Sequence, residues 1–365
     1  LDGDGFESCI HQIVSGLDLK PKSQRIGGVV DELCGYSSQH PVILVCNAVH
    51  TVPELHKLVQ LVGAQGRLLI TSRSRLPLVQ AKNYRLVHLE LPAMDNHLGE
   101  KLLETMLERS FTEDEKQDVE RILQLTGRLP LALVLVASLA ISPHISMARL
   151  ANQLAGHPLN ALTIVGPQPS PETSVRVSLE ITYAYLLEHH PQAAAAFAAL
   201  GIFTRPQSTI QILRHLLLAD NATQEQDRII SLLNFHHLIT QTELDGVAVW
   251  QTHPLLHELA KEYLHKDPSV MEKLQRQFVN ATIAALAQLR DDFRHNQPVA
   301  RIFDVLKADL MEISAGLLQD GRIIAALNLL ENASSILMDA GYLAEYHSWM
   351  NQMKAQLSSL ELPVE

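Results

Sequence analysis

The sequence predicts a multidomain, α-rich fold with a partial parallel α/β sheet near its amino-terminal end, and three observations carry that prediction. A chain of 365 residues is too long for one compact core and indicates about two to four domains. Aromatic residues make up only 5% of the chain while leucine and alanine are frequent, which favours helix-on-helix packing. Strands alternate with helices before Pro92, and helical periodicity follows it. We therefore place an α/β domain at residues 1–92.

The expected elements of this α/β domain alternate along the chain. In order they are two helices, a strand, a helix, a strand and a weaker strand, over residues 6–19, 23–38, 40–50, 51–62, 66–74 and 84–91. The apolar run 42–45 is typical of a parallel strand covered on both faces, and it leads into Cys46-Asn47-Ala48. In a phosphate-handling domain an acidic residue would hold Mg²⁺ at that end of the strand, and here an amide stands in its place.

A helical bundle and a linker are expected next. The bundle domain covers residues 93–156, and its helices are expected over 95–109, 112–126, 129–141 and 146–154. Prolines and glycines are frequent in residues 157–170, which is typical of a linker.

A winged helix is predicted for residues 171–265, and TPR-like helical hairpins for 266–365. Helices are expected near 174–188, 191–200, 207–218, 225–234 and 254–264. Two β-prone arms flank Leu244-Asp245-Gly246 and predict a hairpin, because Asp-Gly is a strong turn signal. The remaining residues have the amphipathic pattern of antiparallel helical hairpins.

Composition argues against several classes of function. The formal charge of −11 and the lack of a basic stretch argue against a nucleic acid partner. The longest apolar run, residues 130–141, is shorter than the roughly 20 residues of a membrane helix, and no secretory signal opens the chain. Cys9, Cys34 and Cys46 lack metal-binding spacing, so we expect reduced thiols and no metal site. A cytoplasmic protein without membrane contact is predicted.

Candidate ligand contacts follow the second strand. Arg73 ends the segment LLITSR at the carboxyl edge of the predicted sheet, where ligands bind in such folds, and its planar guanidinium suits a phosphate. Thr71 and Ser72 can donate hydroxyl hydrogen bonds nearby. The alternative is a set of solvated residues at the end of a strand.

Two more candidates lie at helix starts. In TGRLPLAL, Pro130 stands just inside an apolar helix and Gly127 permits a close approach of the backbone to a ligand, although a plain helix start explains both residues equally well. His253 lies between the hairpin and the next helix, where an imidazole can meet an anion together with uncapped backbone N–H groups. A capping or packed histidine is the alternative.

The order of these motifs resembles the NB-ARC family of STAND signalling ATPases, the nucleotide switches of apoptosome scaffolds, plant resistance proteins and bacterial regulators. That family has a P-loop, a strand ending in two acids, a strand ending in Thr-Thr/Ser-Arg, a helical domain opening with Gly-Leu-Pro-Leu-Ala, and a winged helix ending in Met-His-Asp. This chain has ILVCNAV, LLITSR, GRLPLAL and QTHPLLHELA in that order, at 43–49, 68–73, 127–133 and 251–260. The resemblance covers about residues 6–265 and implies a partial P-loop-type sheet.

The resemblance also implies roles for the candidate residues. Arg73 is similar to the family's sensor arginine near the γ-phosphate, with Thr71 beside it. Pro130, in the same motif as Gly127, corresponds to the proline that packs against adenine. His253 corresponds to the histidine that touches the β-phosphate and holds the closed, ADP-bound state.

This sequence departs from the family at the phosphate end. Asn47 and Ala48 replace the two acids, Pro254 replaces the last residue of Met-His-Asp, and no GxxxxGK[ST] motif occurs in the chain. Asn47 would meet Mg²⁺ only through a neutral carbonyl, so hydrolysis is expected to be weak or lost. We expect the P-loop to lie upstream of Leu1, and Mg²⁺ to bind only together with it.

The resemblance therefore implies an ADP- or ATP-binding STAND-type switch or signalling scaffold. It implies nucleotide held among the α/β, helical and winged-helix domains, protein partners on the C-terminal hairpins, and oligomerisation on activation. An active hydrolase, a winged-helix DNA-binding regulator and a nucleotide-free interaction scaffold are the alternatives. Against DNA binding, the expected groove-reading helix over 209–221 carries a single arginine. Without a P-loop, this chain is expected to bind nucleotide weakly or not at all.

Overall fold

The chain folds into two compact units, a first unit at Leu1–Leu91 and a second at Pro92–Glu365. The computed structural model describes residues 26–46, 52–72, 91–142, 145–157, 171–217, 223–244, 246–294 and 300–339, with isolated positions within 10–19, 87–89 and 346–354. Both units are mostly helical, with one small sheet each among the described residues. The α-rich, multidomain fold class predicted from the sequence is confirmed.

The first unit contains a two-stranded parallel sheet. Its elements are α1 (Ile26–Gln39), β1 (Ile43–Cys46), α2 (Val52–Val59) and β2 (Arg67–Ile70). The strands pair in register from Ile43 opposite Arg67 to Cys46 opposite Ile70, and α2 forms the crossover that a parallel pair needs. Both predicted strands and the helix between them are confirmed, whereas the helix over 6–19 and the weaker strand over 84–91 lie mostly outside the described residues.

Only one face of this sheet packs against helices among the described residues. The inner face contributes Leu44, Cys46, Leu68 and Ile70 to a core formed with α1 and α2. On the outer face, Ile43 is 70% exposed, Val45 62% and Leu69 53%. The prediction that the first strand is covered on both faces is therefore wrong for the part of the chain that the structure describes. The reason is that four consecutive apolar residues give the same pattern whether one face or both are covered.

The second unit begins with a helical bundle. Its elements are α3 (Asn96–Leu107), a 3₁₀ turn (Glu113–Glu115), α4 (Lys116–Leu125), α5 (Pro130–Ala140) and α6 (Met147–Gly156). The Asp95 carboxylate accepts from the backbone N–H of Leu98 at 2.7 Å, and Ser146 Oγ accepts from that of Arg149 at 3.2 Å. Capping of this kind fixes where α3 and α6 begin. The predicted bundle helices agree with these bounds to within a few residues, while residues 158–170 of the predicted linker lie outside the described part.

A three-stranded antiparallel sheet among helices follows. Its elements are α7 (Pro171–His189), α8 (Pro191–Ala199), a 3₁₀ turn (Leu200–Ile202), β3 (Gln207–Thr209), α9 (Ile210–Leu217), α10 (Thr223–Phe235), β4 (Thr240–Leu244), β5 (Val247–Gln251) and α11 (Pro254–Leu264). The strand order is β3-β5-β4. Leu244 pairs with Val247, so a two-residue loop closes the predicted hairpin, and Gly246 supplies the positive φ of 79° that such a loop requires.

The strand β3 is a correction to the sequence prediction, which has a helix from residue 207 onward. Ser208 and Thr209 are buried and pair with Trp250 and Val249 of β5. A strand of three residues is too short to show a period of two, and the helical periodicity of the following residues conceals it.

Three long helices complete the described part of the second unit. They are α12 (Pro268–Arg294), α13 (Ala300–Gln319) and α14 (Ile323–Asp339). The helices α13 and α14 pack against each other, and α12 packs against both α9 and α14. One continuous hydrophobic core runs from α5 to α14, so these helices are not a detached tail. Among the described residues, no helix has both the length and the apolarity needed to cross a membrane.

A buried carboxylate joins the loop before β3 to α13. The backbone N–H of Thr204 donates to Asp309 Oδ1 at 2.7 Å, while Asp309 Oδ2 is buried without a hydrogen-bond partner. Beside this contact, Phe203 packs edge-on against Trp250 and Phe278, with ring centroids 4.9 Å apart in each pair. Burial raises the pKa of Asp309 to about 6, so folding disfavours its ionised form.

We expect Asp309→Asn to remove a pH dependence of stability. Since the folded pKa is raised, the wild-type protein loses unfolding free energy as the pH rises from about 4 to about 6, by roughly 3 kcal/mol. Asparagine keeps the acceptor for Thr204 and cannot ionise. Urea unfolding at pH 4.5 and pH 7.5 should show the variant gaining stability relative to wild type at the higher pH. If variant and wild type differ in unfolding free energy by the same amount at pH 4.5 and at pH 7.5, the raised pKa assigned to Asp309 is contradicted.

Candidate functional site

The carboxyl edge of the sheet in the first unit holds one of the predicted site residues. The backbone N–H of Thr71 donates to the carbonyl of Cys46 at 3.0 Å, which extends the pairing of β1 and β2 by one step. Thr71 therefore lies beside the end of β1, with its side chain exposed. Asn47 and Arg73 lie outside the described residues, and their position at this edge stays a prediction.

The turn between α4 and α5 holds two more of the predicted site residues, Gly127 and Pro130. The N–H of Gly127 donates to the carbonyl of Gln124 at 3.1 Å, and the N–H of Arg128 donates to that of Leu123 at 2.9 Å. These two bonds form a Schellman motif, in which glycine takes the left-handed position after the helix. Gly127 has φ of +60°, as that motif requires.

Gly127 also permits another group to approach the backbone closely, and that group is a side chain of the protein itself, Ser174 of α7. A Cβ at this position would lie 3.3 Å from Ser174 Oγ on α7. Ser174 is buried, and its hydroxyl has no hydrogen-bond partner. The helix stop and the contact with α7 explain Gly127 structurally, and a role in holding a ligand stays a prediction.

Arg128 is the residue at this turn that sequence reasoning missed. It has φ of +55°, a left-handed conformation that costs a non-glycine residue roughly 1 kcal/mol or more. Its carbonyl accepts from the N–H of Met94 at 3.3 Å, and its Nη1 donates to Asn96 Oδ1 at 3.4 Å. Its Nε is buried without a partner. Nothing in the sequence signals this conformation, because a Schellman motif fixes only the preceding glycine.

Pro130 is the first residue of α5 and is exposed. Leu129, the residue before it, provides no side-chain cap. The start of α5 therefore presents a rigid apolar ring beside backbone N–H groups that no capping side chain of Leu129 satisfies. This surface suits the flat face of a ring with polar edges.

His253 is the N-cap of α11. Its Nδ1 accepts from the backbone N–H of Leu255 at 3.2 Å, and Pro254 follows at the first helical position. An acceptor nitrogen carries no proton, so this bond places the proton of a neutral imidazole on Nε2. The capping bond thus selects the tautomer whose Nε2–H can donate to an anion. The sequence alternative of a capping histidine is realised, and it is compatible with the ligand role.

The helix α7 links these two positions. Ser174 of α7 contacts the α4–α5 turn, while Nη1 of Arg176, half a turn further on, donates to Glu262 of α11 at 3.2 Å. Arg176 Nε also donates to Glu180 at 3.0 Å. His253 lies nine residues before Glu262, or roughly 13 Å along the axis of α11. Gly127, Pro130 and His253 therefore belong to one packed unit and stand at separate places on it.

A buried Ser–His pair joins the bundle to the helix before the hairpin. Ser138 Oγ of α5 donates to the carbonyl of Leu135 at 2.7 Å, so the 3.1 Å contact with Nδ1 of His236, in the turn directly after α10, uses the N–H of the imidazole. Burial, with smaller contributions from His190 and His237, lowers the pKa of His236 to about 4. The imidazole is therefore neutral near pH 7. The sequence shows Ser138 only as the one polar residue of an apolar helix.

The comparisons with known proteins add no family. A scan against protein-family models matches none, and a search of curated proteins gives no significant match. Among the described residues, no group of three or more histidine, cysteine or acidic side chains is arranged to hold a metal ion.

We expect Gly127→Ala to destabilise the second unit by roughly 1–2 kcal/mol, because a side chain is strained at positive φ and would press on Ser174. Gly156→Ala is the matched control, since a Cβ at that helix end meets nothing within 4 Å. Chemical denaturation should show a loss of stability for the first variant and no loss for the second. If Gly127→Ala is as stable as wild type, the role assigned to Gly127 in ending α4 is contradicted.

Proposed function

We propose that this chain is part of an NB-ARC-type STAND switch that binds ADP or ATP and hydrolyses it weakly or not at all. The observation that carries the proposal is the order of elements in the second unit. A helical bundle with a Gly-x-x-Pro turn precedes two helices, a strand, two helices, a hairpin and a helix capped by histidine. Long packed helices follow. The resemblance found in the sequence implies a helical domain, a winged helix and then TPR-like helices in this order.

The strand order supports a winged helix within this unit. The elements α8, β3, α9, α10, β4 and β5 follow one another, and the short β3 pairs with the last strand of the hairpin. Three helices closed by a three-stranded sheet of this order are typical of that fold. The proposed domains are accordingly a bundle, a winged helix and TPR-like hairpins.

The second unit supplies two groups that suit a nucleotide. Pro130 offers an exposed, rigid apolar surface to an adenine ring. His253 carries its proton on Nε2 at the start of α11, where a β-phosphate would also meet the partial positive charge of the helix N-terminus. Neither Pro130 nor His253 needs a charged side chain to make its proposed contact with the nucleotide.

The phosphate chemistry proposed for the first unit is exchange of nucleotide with little hydrolysis. Thr71 lies at the carboxyl edge of the sheet, and the sequence continues from Cys46 at the end of β1 into Asn47 and Ala48. A carboxamide neither attracts Mg²⁺ as a carboxylate does nor accepts a proton from water. Mg²⁺ is proposed to bind only where a P-loop is also present.

The alternative of a DNA-binding regulator loses support. The helix directly before the hairpin is α10, so the expectation of a groove-reading helix over residues 209–221 is wrong. Exposed Asp227 accompanies Arg228 on α10, and Glu243 is exposed on the hairpin. Acidic groups on these elements repel phosphates. Protein partners on the C-terminal helices stay the proposed partners.

We expect His253→Asn to weaken ADP binding while leaving stability unchanged. Asparagine is a favoured N-cap, so it replaces Nδ1 as the acceptor for Leu255, and it lacks the imidazole Nε2–H. Loss of a hydrogen bond to a charged phosphate is worth about 1.5–3 kcal/mol, or about one to two decades in affinity. His253→Ala should lose ADP affinity equally and also about 1 kcal/mol of stability, because the cap is gone.

Calorimetry with millimolar ADP and thermal unfolding of each variant measure both effects. The control is His265→Asn, an exposed histidine at the other end of α11. We expect wild type to bind ADP weakly or not at all because it lacks a P-loop, so the comparison is made at an ADP concentration that gives saturable heat in wild type. An affinity unchanged by His253→Asn would then contradict the proposed nucleotide contact. Submicromolar affinity would contradict the expectation that a P-loop supplies most of the binding.

A further inference from the structure

An open cleft of about 1060 Å³ lies in the second unit, away from Gly127, Pro130 and His253. Its walls are the helices α9 and α10, the hairpin β4–β5 and the helix α12. All residues that line it are described, and they belong to the second unit. The proposed nucleotide contacts use none of them.

Side-chain carboxamides are the most frequent polar groups on these walls. The cleft is lined by Gln211 of α9, Gln226 of α10, Gln241 of β4, and Gln277 and Asn280 of α12. Each carboxamide offers both a donor and an acceptor. A ligand that satisfies such walls must itself present donors and acceptors along its length.

The charges in the cleft are balanced internally. Arg214 Nη2 contacts Asp227 Oδ1 at 2.6 Å, so the one cation and the one anion of the lining neutralise each other. His215 Nδ1 lies 2.8 Å from the backbone carbonyl of Gln211. A phosphate or another strongly charged ligand would find no excess charge of opposite sign.

One buried donor in the lining has no partner. Arg214 Nε is buried and makes no hydrogen bond. Because that atom has no accessible surface, a ligand in the cleft does not reach it. The Arg214–Asp227 ion pair stays intact beside an uncharged ligand.

The apolar part of the cleft is small and aliphatic. Ile210, Ile230 and Ala281 are buried at its floor, and no lining residue carries a phenyl or indole ring. Sugars usually stack on aromatic rings, so the lining does not favour a carbohydrate. The floor suits one or two small aliphatic side chains.

We propose that this cleft binds an extended, uncharged stretch of polypeptide from a partner protein. A polypeptide backbone repeats one donor and one acceptor per residue, which matches the carboxamides contributed by α9, β4 and α12. Its backbone groups pair with the carboxamides, and its aliphatic side chains occupy the floor. The proposal extends the predicted protein partners to a surface on the winged-helix region and does not depend on nucleotide binding.

The test is selection of a phage-displayed library of random peptides on the intact chain, followed by calorimetry with the selected peptides made synthetically and blocked at both ends. We expect uncharged peptides with small aliphatic residues. The double variant Gln277→Ala/Asn280→Ala should weaken their binding about tenfold, since it removes two neutral hydrogen-bonding groups. The control is Gln275→Ala, an exposed glutamine on the same helix that does not line the cleft.

A second pair of variants tests the location. Ser231→Trp puts a large side chain into the cleft from an exposed position on α10, and Asn234→Trp adds the same bulk to α10 outside the cleft. Peptide binding should be lost in the first and retained in the second, with both variants folded by circular dichroism. Failure to select any peptide, selection of charged peptides only, or equal binding by both tryptophan variants would overturn the proposal. Binding of the neutral oligosaccharide maltopentaose that Ser231→Trp abolishes would overturn it as well.

Discussion

The burial of α5 between two cores is the constraint on which the second unit depends. Leu133, Val136 and Leu139 face the bundle core, while Ala132 and Leu135 belong to the core that continues through α14. Fully burying one large aliphatic side chain contributes about 1.5–3 kcal/mol, so a helix apolar on all sides strongly favours this shared position. The one polar side chain in its interior, Ser138, bonds to His236. The bundle and the winged-helix region are consequently one body.

This shared helix gives the proposed switch a specific geometry. The turn with Gly127 and Pro130 starts α5, and α7 joins that turn to α11, which His253 caps. Contacts with a nucleotide at either place would therefore be held in position before the ligand binds. Any motion that separates the bundle from the winged-helix region must break the buried Ser138–His236 pair. Because the pKa of His236 is lowered to about 4, ordinary changes of pH leave that pair intact.

The sequence predicted most of the fold and less of the candidate site. Long amphipathic or apolar helices and the Asp-Gly hairpin leave local patterns, and these predictions were confirmed by α3 to α6 and by β4–β5. The strand β3 is too short to show a periodic pattern. The exposure of the outer sheet face that contains Ile43 depends on which elements cover the sheet, and a local pattern does not show that. Arg128, Ser174 and His236 acquire their roles through contacts with residues distant in sequence, which periodicity does not encode. The positions of Pro130 and His253 at helix starts agree with the sequence prediction because helix starts have local signals, and their ligand roles stay predictions.

Hydrogen–deuterium exchange with and without millimolar ADP tests most directly whether the start of α5 and the start of α11 respond to one nucleotide. The account predicts slower exchange at residues 127–133 and 254–257, with unchanged exchange in α13 and α14. Protection at two segments more than 100 positions apart would be difficult to explain by nonspecific binding. Unchanged exchange at both segments, at an ADP concentration that gives saturable heat in calorimetry, would contradict the proposed switch.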